Sequence, residues 1–158
     1  MSNSESNETL TRMGPGAAMG RVFRQFWQPA LLSEELPVAD CPPVRVRLMG
    51  EDFVAFRDSS GKVGLLDAHC PHRLADLFFG RNEEGGLRCV YHGWKFSVAG
   101  EILDMPSEPQ GSPMRCNPNL RAKAYPVREA GGIIWAYLGP QESMPALPDM
   151  EFMSLPPQ

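Results

Sequence analysis

Two short motifs constrain what this chain can fold into more than any other feature of its sequence. They read Cys-Pro-His and Cys-Val-Tyr-His, with sixteen residues between them, and each holds one thiol and one imidazole. The four candidate metal ligands are Cys70, His72, Cys89 and His92. In extended backbone, residues i and i+2 point to the same side, so Cys70 and His72 can reach one inorganic centre. The longer spacing of the second motif suits a turn, and the sequence therefore predicts two loops around one metal site.

Two kinds of metal site use two thiolates and two imidazoles, namely tetrahedral zinc and a binuclear iron–sulfur cluster. Zinc sites with this ligand set usually take both cysteines from one loop and both histidines from another. Here each loop contributes one ligand of each type. A cluster whose thiolates bind one iron and whose imidazoles bind the other requires that mixture, because each loop then spans both irons. The spacing favours the cluster, and a zinc-stabilised interaction module is the alternative.

The composition argues against several classes of partner. The formal net charge is −4, so the chain lacks the basic surface that neutralises phosphates, and we expect no nucleic-acid partner. No stretch approaches eighteen consecutive apolar residues, which predicts no membrane span. The start of the chain also lacks the features of an export signal. Four cysteines are then better explained as reduced thiols or metal thiolates than as disulfides, and we expect a cytoplasmic protein.

Short apolar runs between turn residues predict an all-β domain. The chain has 16 prolines and 15 glycines, which lie between these runs. Alternation of apolar and polar residues predicts a strand at 43–50 and three hairpins, with turns at 59–61, 99–100 and 130–132. One short helix is expected near the N-terminus. Its apolar face would consist of Val22, Phe23, Phe26 and Trp27, and Pro29 would end it.

Several stretches of the sequence resemble those of a known family. The stretches CPHRLADLFFGR and LRCVYHGWKF are similar to the two cluster loops of Rieske non-haem iron oxygenases, which hydroxylate or demethylate aromatic compounds. Further stretches, including FWQPALLSEELP, DMPSEP and AYPVREAGGIIWAYLGP, most resemble oxygenase components of the phthalate dioxygenase group. One departure is Leu74-Ala75, where many relatives have glycine followed by alanine. The resemblance implies a Rieske-type antiparallel β-sandwich with a small cluster-binding subdomain.

The resemblance also implies a domain organisation. Residues 19–140 would form the Rieske [2Fe-2S] domain. Residues 1–18 would be a flexible N-terminal arm, because they are polar or small and show no periodicity. Residues 141–158 would be a Pro-rich tail that resembles the family's linker into its catalytic domain.

The resemblance assigns roles to residues in both motifs. His72 and His92 would ligate the outer iron, and their ring edges would be the exit path for an electron. Replacing two thiolates by neutral imidazoles makes the cluster easier to reduce than an all-cysteine cluster. High-potential relatives carry an extra cysteine in each loop, and this chain has none there, which favours the low-potential branch. Three residues are expected beside the cluster: Arg73, Tyr91 and Trp94. For His69 we expect an ordinary surface histidine.

The family implies a larger catalytic domain whose mononuclear Fe(II) is held by two histidines and one carboxylate. This chain has three histidines, of which two would bind the cluster. We therefore expect that it is not a complete oxygenase by itself. Its expected function is to relay single electrons from a reductase or ferredoxin to the iron of a catalytic oxygenase domain, which in full-length relatives implies a homotrimer. The alternative within electron transfer is a stand-alone Rieske ferredoxin.

Overall fold

Two short α-helices and eleven short β-strands form the regular structure of the computed structural model, which describes residues 3–117 and 119–154. The helices are α1 (Asn3–Thr11) and α2 (Ala18–Phe23). The strands are β1 (Trp27–Leu32), β2 (Val44–Leu48), β3 (Glu51–Arg57), β4 (Val63–Asp67), β5 (Arg81–Glu83), β6 (Gly86–Arg88), β7 (Lys95–Phe96), β8 (Ile102–Asp104), β9 (Ala124–Tyr125), β10 (Val127–Ala130) and β11 (Ile133–Tyr137). Neither helix has the length and apolar character that crossing a bilayer demands.

The strands form three antiparallel sheets. The orders are β1-β11-β10, β2-β3-β4-β9 and β5-β6-β7-β8. The first two sheets enclose a core that includes Leu31, Phe53, Leu65 and Ile134. The third sheet is inserted in the chain between β4 and β9, and it forms a small subdomain. This arrangement confirms the expected all-β antiparallel sandwich with a small subdomain.

Strand β3 is the link between the sandwich and the subdomain. Its alternate residues enter different cores: Phe53 and Ala55 lie in the sandwich core, whereas Val54 and Phe56 lie in a second core. This second core also contains buried residues of the subdomain and of the two motifs, among them Leu77, Leu87, Trp94 and Phe96. Because side chains alternate along a strand, a single strand can support both cores. The subdomain is thereby fixed on the sandwich by apolar packing.

The predicted strand at 43–50 and the three predicted hairpins are confirmed. Strand β2 buries Val46 between exposed Arg45 and Arg47, as the alternation indicated. The hairpins are the antiparallel pairs β3–β4, β7–β8 and β10–β11.

The helix prediction was wrong in its extent and in the number of helices. Helix α2 ends at Phe23, and the segment from Trp27 onward is strand β1. Of the residues assigned to the apolar face of the helix, Val22, Phe23 and Phe26 are exposed, whereas Trp27 is buried against Trp135 and Tyr137. Pro29 is tolerated because β1 is an edge strand, with a register irregularity after Pro29.

The N-terminal arm contains helix α1, which the sequence analysis did not predict. Its surface is polar, and an ion pair joins Glu8 and Arg12. Such i,i+4 pairs support a helix that has no apolar face to bury. Residues 1 and 2 of the arm lie outside the described residues, as do residues 155–158 of the tail.

The described part of the tail packs onto the sandwich. It contains two 3₁₀ turns, Gln141–Ser143 and Glu151–Ser154. The indole N–H of Trp27 donates to the carbonyl oxygen of Pro145 at 2.9 Å. Four apolar tail residues pack against Trp27, Trp135 and Tyr137, namely Met144, Leu147, Met150 and Met153. The tail therefore packs on the face of the β1-β11-β10 sheet that points away from the sandwich core.

Candidate metal centre

Each motif opens a six-residue loop that is closed by hydrogen bonds back to its cysteine. In loop 1 (residues 70–75), the Cys70 amide donates to the Ala75 carbonyl at 2.8 Å, and the Leu74 amide donates to the Cys70 carbonyl at 2.9 Å. These two bonds fold the chain into a tight turn after β4. The turn presents the residues between Cys70 and Leu74 at one end of the subdomain.

Loop 2 (residues 89–94) repeats this pattern between β6 and β7. The Cys89 amide donates to the Trp94 carbonyl at 2.9 Å, and the Gly93 amide donates to the Cys89 carbonyl at 3.1 Å. The closing bonds therefore join equivalent positions in both loops, although their histidines stand at different distances from the cysteine. The two loops are structural counterparts.

The fifth residue of each loop has left-handed backbone conformation. Gly93 has φ +74°, and a Cβ there would lie 2.7 Å from Cγ of Pro106, so only glycine fits without displacement. Leu74 holds the same position in loop 1 with φ +56°, and its side chain is 72% exposed. The departure from glycine noted in the sequence thus falls on a backbone position that disfavours any residue with a Cβ.

The two thiols meet at the base of the loops, where both are buried. Burial, together with the neighbouring Cys89 thiol, raises the pKa of the Cys70 thiol to about 11, although hydrogen bonds from the backbone amides of His72 and Arg73 act in the opposite direction. A buried pair of thiols without a cation favours the protonated form. A metal cation would supply the charge that two thiolates require, so the pair fits a metal-binding role.

The two imidazoles contact each other and are half-buried. The ring centroids of His72 and His92 are 4.6 Å apart, with 62° between their planes. Burial lowers the pKa of His72, and the neighbouring His92 and Arg73 lower it further. The neutral imidazole favoured in this way is the form that binds metals. A pair of thiols and a pair of imidazoles match a binuclear site, in which each iron takes ligands of one kind.

The three residues expected beside the cluster occupy different surroundings. Trp94 is buried, its ring stacks on His72, and its indole N–H donates to Oγ of Ser107 at 3.2 Å. Tyr91 is 61% exposed, and its ring centroid lies 3.9 Å from that of His92. Arg73 is exposed. The structure thus brings both aromatic residues against candidate ligands.

His69 lies outside this group. It is exposed, and its backbone forms an isolated antiparallel bridge with Asp76. Among the described residues, no three His, Cys, Asp or Glu side chains converge as the ligands of a single metal ion would. The four motif residues are arranged instead as one thiol pair and one imidazole pair.

Arg88 supports loop 2 and was missed by the sequence analysis. Its guanidinium donates to the Gly93 carbonyl at 2.8 Å, to Asp104 of β8 at 2.8 Å and to Glu83 of β5 at 2.8 Å. The hydrogen bond from Arg88 lowers the pKa of Asp104 below its ordinary range. The residue before Cys89 therefore fastens the loop to two strands. In the sequence, an arginine next to a candidate ligand looks the same whether its side chain is hydrogen-bonded within the fold or exposed to solvent.

Arg45 of β2 supports the segment that follows loop 1. It forms an ion pair with Asp76 at 2.6 Å, and its guanidinium lies 4.2 Å from the ring centroid of Phe78. The Asp76 side chain also accepts from the Phe78 amide at 2.9 Å, which caps the 3₁₀ turn Leu77–Phe79. The sandwich thus contacts the end of loop 1 through a charged and aromatic cluster.

Comparison with known proteins identifies what this arrangement resembles. The family model of the Rieske [2Fe-2S] domain matches residues 26–126. The 3-chlorobenzoate-3,4-dioxygenase oxygenase subunit of Comamonas testosteroni is 49% identical over 156 residues, which cover 99% of this chain and 35% of that protein. The phthalate 4,5-dioxygenase oxygenase subunit of Pseudomonas putida is 49% identical over 145 residues, or 92% of this chain and 33% of that protein.

The fold agrees with solved structures. The crystal structure of apo dicamba monooxygenase superposes with a TM-score of 0.70 at 30% identity, covering 80% of this chain and 38% of that one. This chain spans about a third of the length of the curated relatives it matches. The similarity therefore concerns the cluster-binding portion of those oxygenases.

Proposed function

The chain belongs to the Rieske [2Fe-2S] domain family, and from this we propose that it relays single electrons to the mononuclear iron site of an aromatic-compound oxygenase. The observation that carries the proposal is a buried pair of thiols and a half-buried pair of imidazoles, contributed by two loops of equivalent hydrogen bonding. The bound cluster accepts and donates one electron at a time, at a potential set by ligand charge and hydrogen bonding.

The four motif residues have distinct proposed roles. Cys70 and Cys89 hold the inner iron, away from water, where their thiolate charge is balanced by the metal. His72 and His92 hold the outer iron and connect it to the surface. The backbone amides of His72 and Arg73 stabilise negative charge on the Cys70 sulfur, and such hydrogen bonds favour the reduced state.

The partners of this domain follow from the relatives. Their names describe oxygenase subunits that act on 3-chlorobenzoate and phthalate. We assign to this chain a reductase or ferredoxin as electron donor, and the iron of a catalytic oxygenase domain as acceptor. Residues 19–140 form the cluster domain in this proposal, residues 1–18 an arm, and residues 141–158 the connection toward the catalytic domain. By resemblance to the family, we also propose a homotrimer for the full-length protein.

Anaerobic purification followed by iron and sulfide analysis tests the cofactor assignment. We expect a red-brown protein with about two irons and two inorganic sulfides per chain, and a paramagnetic signal after reduction. A colourless protein that binds a single zinc ion and no sulfide after reconstitution would contradict it.

The relay is tested by electron transfer from a donor. The oxidised protein is mixed anaerobically with NADH and the reductase of a phthalate dioxygenase system, and the visible absorption is followed. We expect bleaching that depends on the reductase. A cluster that is reduced by dithionite but not by this reductase would count against the proposed donor.

A further inference from the structure

The indole ring of Trp94 lies flat against the imidazole of His72. Their centroids are 4.4 Å apart, and their planes differ by 2°. Trp94 belongs to loop 2 and His72 to loop 1, so the stack connects the two loops. The ring contacts of His92 with His72 and Tyr91 are tilted, at 62° and 41°. The two candidate ligands of the outer iron are therefore held in different ways.

Trp94 is itself fixed at several points. Its side chain is completely buried, its backbone carbonyl accepts the closing hydrogen bond of loop 2, and its indole N–H donates to Oγ of Ser107 at 3.2 Å. A buried aromatic ring with a satisfied N–H has little freedom to rotate. Trp94 thus presents one defined face to His72.

Ser107 lies in a segment that is also fixed. The guanidinium of Arg115 donates to the carbonyl oxygens of Met105, at 2.5 Å, and Glu108, at 2.8 Å. These residues flank Ser107 in the chain. The hydroxyl that accepts from the indole therefore belongs to a turn that is held by hydrogen bonds. Arg115 fixes the turn that contains Ser107, and Ser107 in turn fixes the Trp94 ring.

We propose that Trp94 is a positioning residue for His72, and that Ser107 anchors it in that role. The stack fixes the orientation of the His72 ring and covers one of its faces against water. Groups that orient a ligand ring tune both metal affinity and electronic structure. Loop 2 then determines the geometry of a ligand that belongs to loop 1. This inference rests on the proposed function, because it requires His72 to be a ligand.

The test compares cluster-loaded variants. Trp94→Leu removes the stack, Trp94→Phe keeps a ring without the N–H, and Ser107→Ala removes the anchor. Trp135→Phe is the structural control, since Trp135 lies in the apolar cluster with Trp27 and Tyr137. The measurements are the g-values of the reduced cluster, its midpoint potential and the rate of iron loss to a chelator.

We expect Trp94→Leu to shift the g-values and the midpoint potential and to lose iron about tenfold faster. Trp94→Phe and Ser107→Ala should shift the same signals in the same direction by less. Trp135→Phe should leave the g-values and the potential unchanged, even if it lowers thermal stability.

Wild-type g-values, potential and iron-loss rate in both Trp94→Leu and Ser107→Ala would overturn the inference. If Trp94→Leu does not take up a cluster, Ser107→Ala and Trp94→Phe provide the test. Wild-type g-values, potential and iron-loss rate in both of these variants would overturn the inference. Failure of the proposed function gives a different result. The wild-type protein would then either contain no iron and sulfide, or carry a cluster that the reductase does not reduce.

Discussion

Loop 1 and loop 2 close with equivalent hydrogen bonds, yet they obtain the left-handed fifth residue in different ways. In loop 2 the position is Gly93, where Pro106 leaves no room for a Cβ. In loop 1 it is Leu74, whose side chain projects into solvent. The turn geometry alone tolerates both residues at a cost, whereas the packing around loop 2 does not. The neighbours of a loop therefore constrain its sequence more than the turn itself does.

The arginines that hold the two loops also differ, and again the one beside loop 2 is more tightly packed. Arg88 beside loop 2 is 15% exposed and has partners on two strands and in the loop itself. Arg45 beside loop 1 is 56% exposed and reaches the segment after the loop. Buried, multiply bonded groups open less readily than exposed ion pairs. We therefore expect loop 2 to be the more rigid of the two, with loop 1 depending more on the bound cluster.

The largest expected effect comes from removing a thiolate. Cys89→Ser should lose the cluster and much of the subdomain's stability, on the order of 5 kcal/mol, because metal binding and folding are coupled. Cys70→Ser is the counterpart in loop 1 and should give the same loss of cluster. Iron and sulfide analysis with thermal unfolding measures both. A well-folded Cys89→Ser protein with unchanged thermal stability would contradict the expectation.

Exchanging an imidazole for a thiolate should have the next largest effect. His72→Cys should retain some cluster and lower its midpoint potential by on the order of 100 mV, since a thiolate restores negative charge at the outer iron. For a one-electron couple this is about 2.3 kcal/mol. His92→Cys is the matched variant, and its potential should fall by a similar amount. An unchanged potential in both variants, determined by redox titration, would contradict the ligand assignment.

The difference between the two arginines is tested by removing each one. Arg88→Met should cost about 2 kcal/mol, because it leaves the Gly93 carbonyl and the carboxylates without their donor. Arg45→Met should cost about 1 kcal/mol or less, since the ion pair it removes is largely exposed. Urea unfolding of the cluster-loaded proteins measures both. Equal costs, or a larger cost for Arg45→Met, would remove the contrast between the loops.

The pH dependence gives a second check on Arg88. Its hydrogen bond holds the pKa of Asp104 below the ordinary value, so the stabilisation by this pair is complete above about pH 4 and is lost as the pH falls through the folded-state pKa. Arg88→Met should therefore lose less stability on acidification than the wild-type protein. If urea unfolding shows the same loss of unfolding free energy on acidification in Arg88→Met and in the wild-type protein, the Arg88–Asp104 pair contributes little to stability.

Features of the fold and of the candidate site could be predicted from the sequence where they depend on residues that are close together in the chain. The prediction that Cys70 and His72 reach one centre followed from their spacing, because i and i+2 relations are local, and the second motif was assigned to the same centre because it holds the same two ligand types. The hairpins followed from alternation and turn residues. Strand β1 was mistaken for a helix because Phe23, Phe26 and Trp27 also fit a helical period, and the sheet partner that decides between them lies more than a hundred residues away.

The contacts around the loops likewise depend on residues that are distant in the sequence. The stack of Trp94 on His72 joins residues of different loops, and the bonds of Arg88 join three elements. Neither has a local pattern in the sequence. The sequence could therefore indicate the candidate metal ligands, whereas the residues that hold those candidates in position required the tertiary structure.

The smallest predicted effect concerns the fifth residue of each loop. Leu74→Gly should stabilise the cluster-loaded protein by about 0.5 kcal/mol: relief of left-handed strain contributes about 1–2 kcal/mol, and the greater freedom of glycine in the unfolded chain offsets part of it. Little apolar burial is lost, because Leu74 is 72% exposed. The matched change Gly93→Ala should instead destabilise, since its Cβ would lie 2.7 Å from Pro106. Urea unfolding distinguishes the signs, and destabilisation by Leu74→Gly would mean that the leucine side chain contributes more to loop 1 than its exposure indicates.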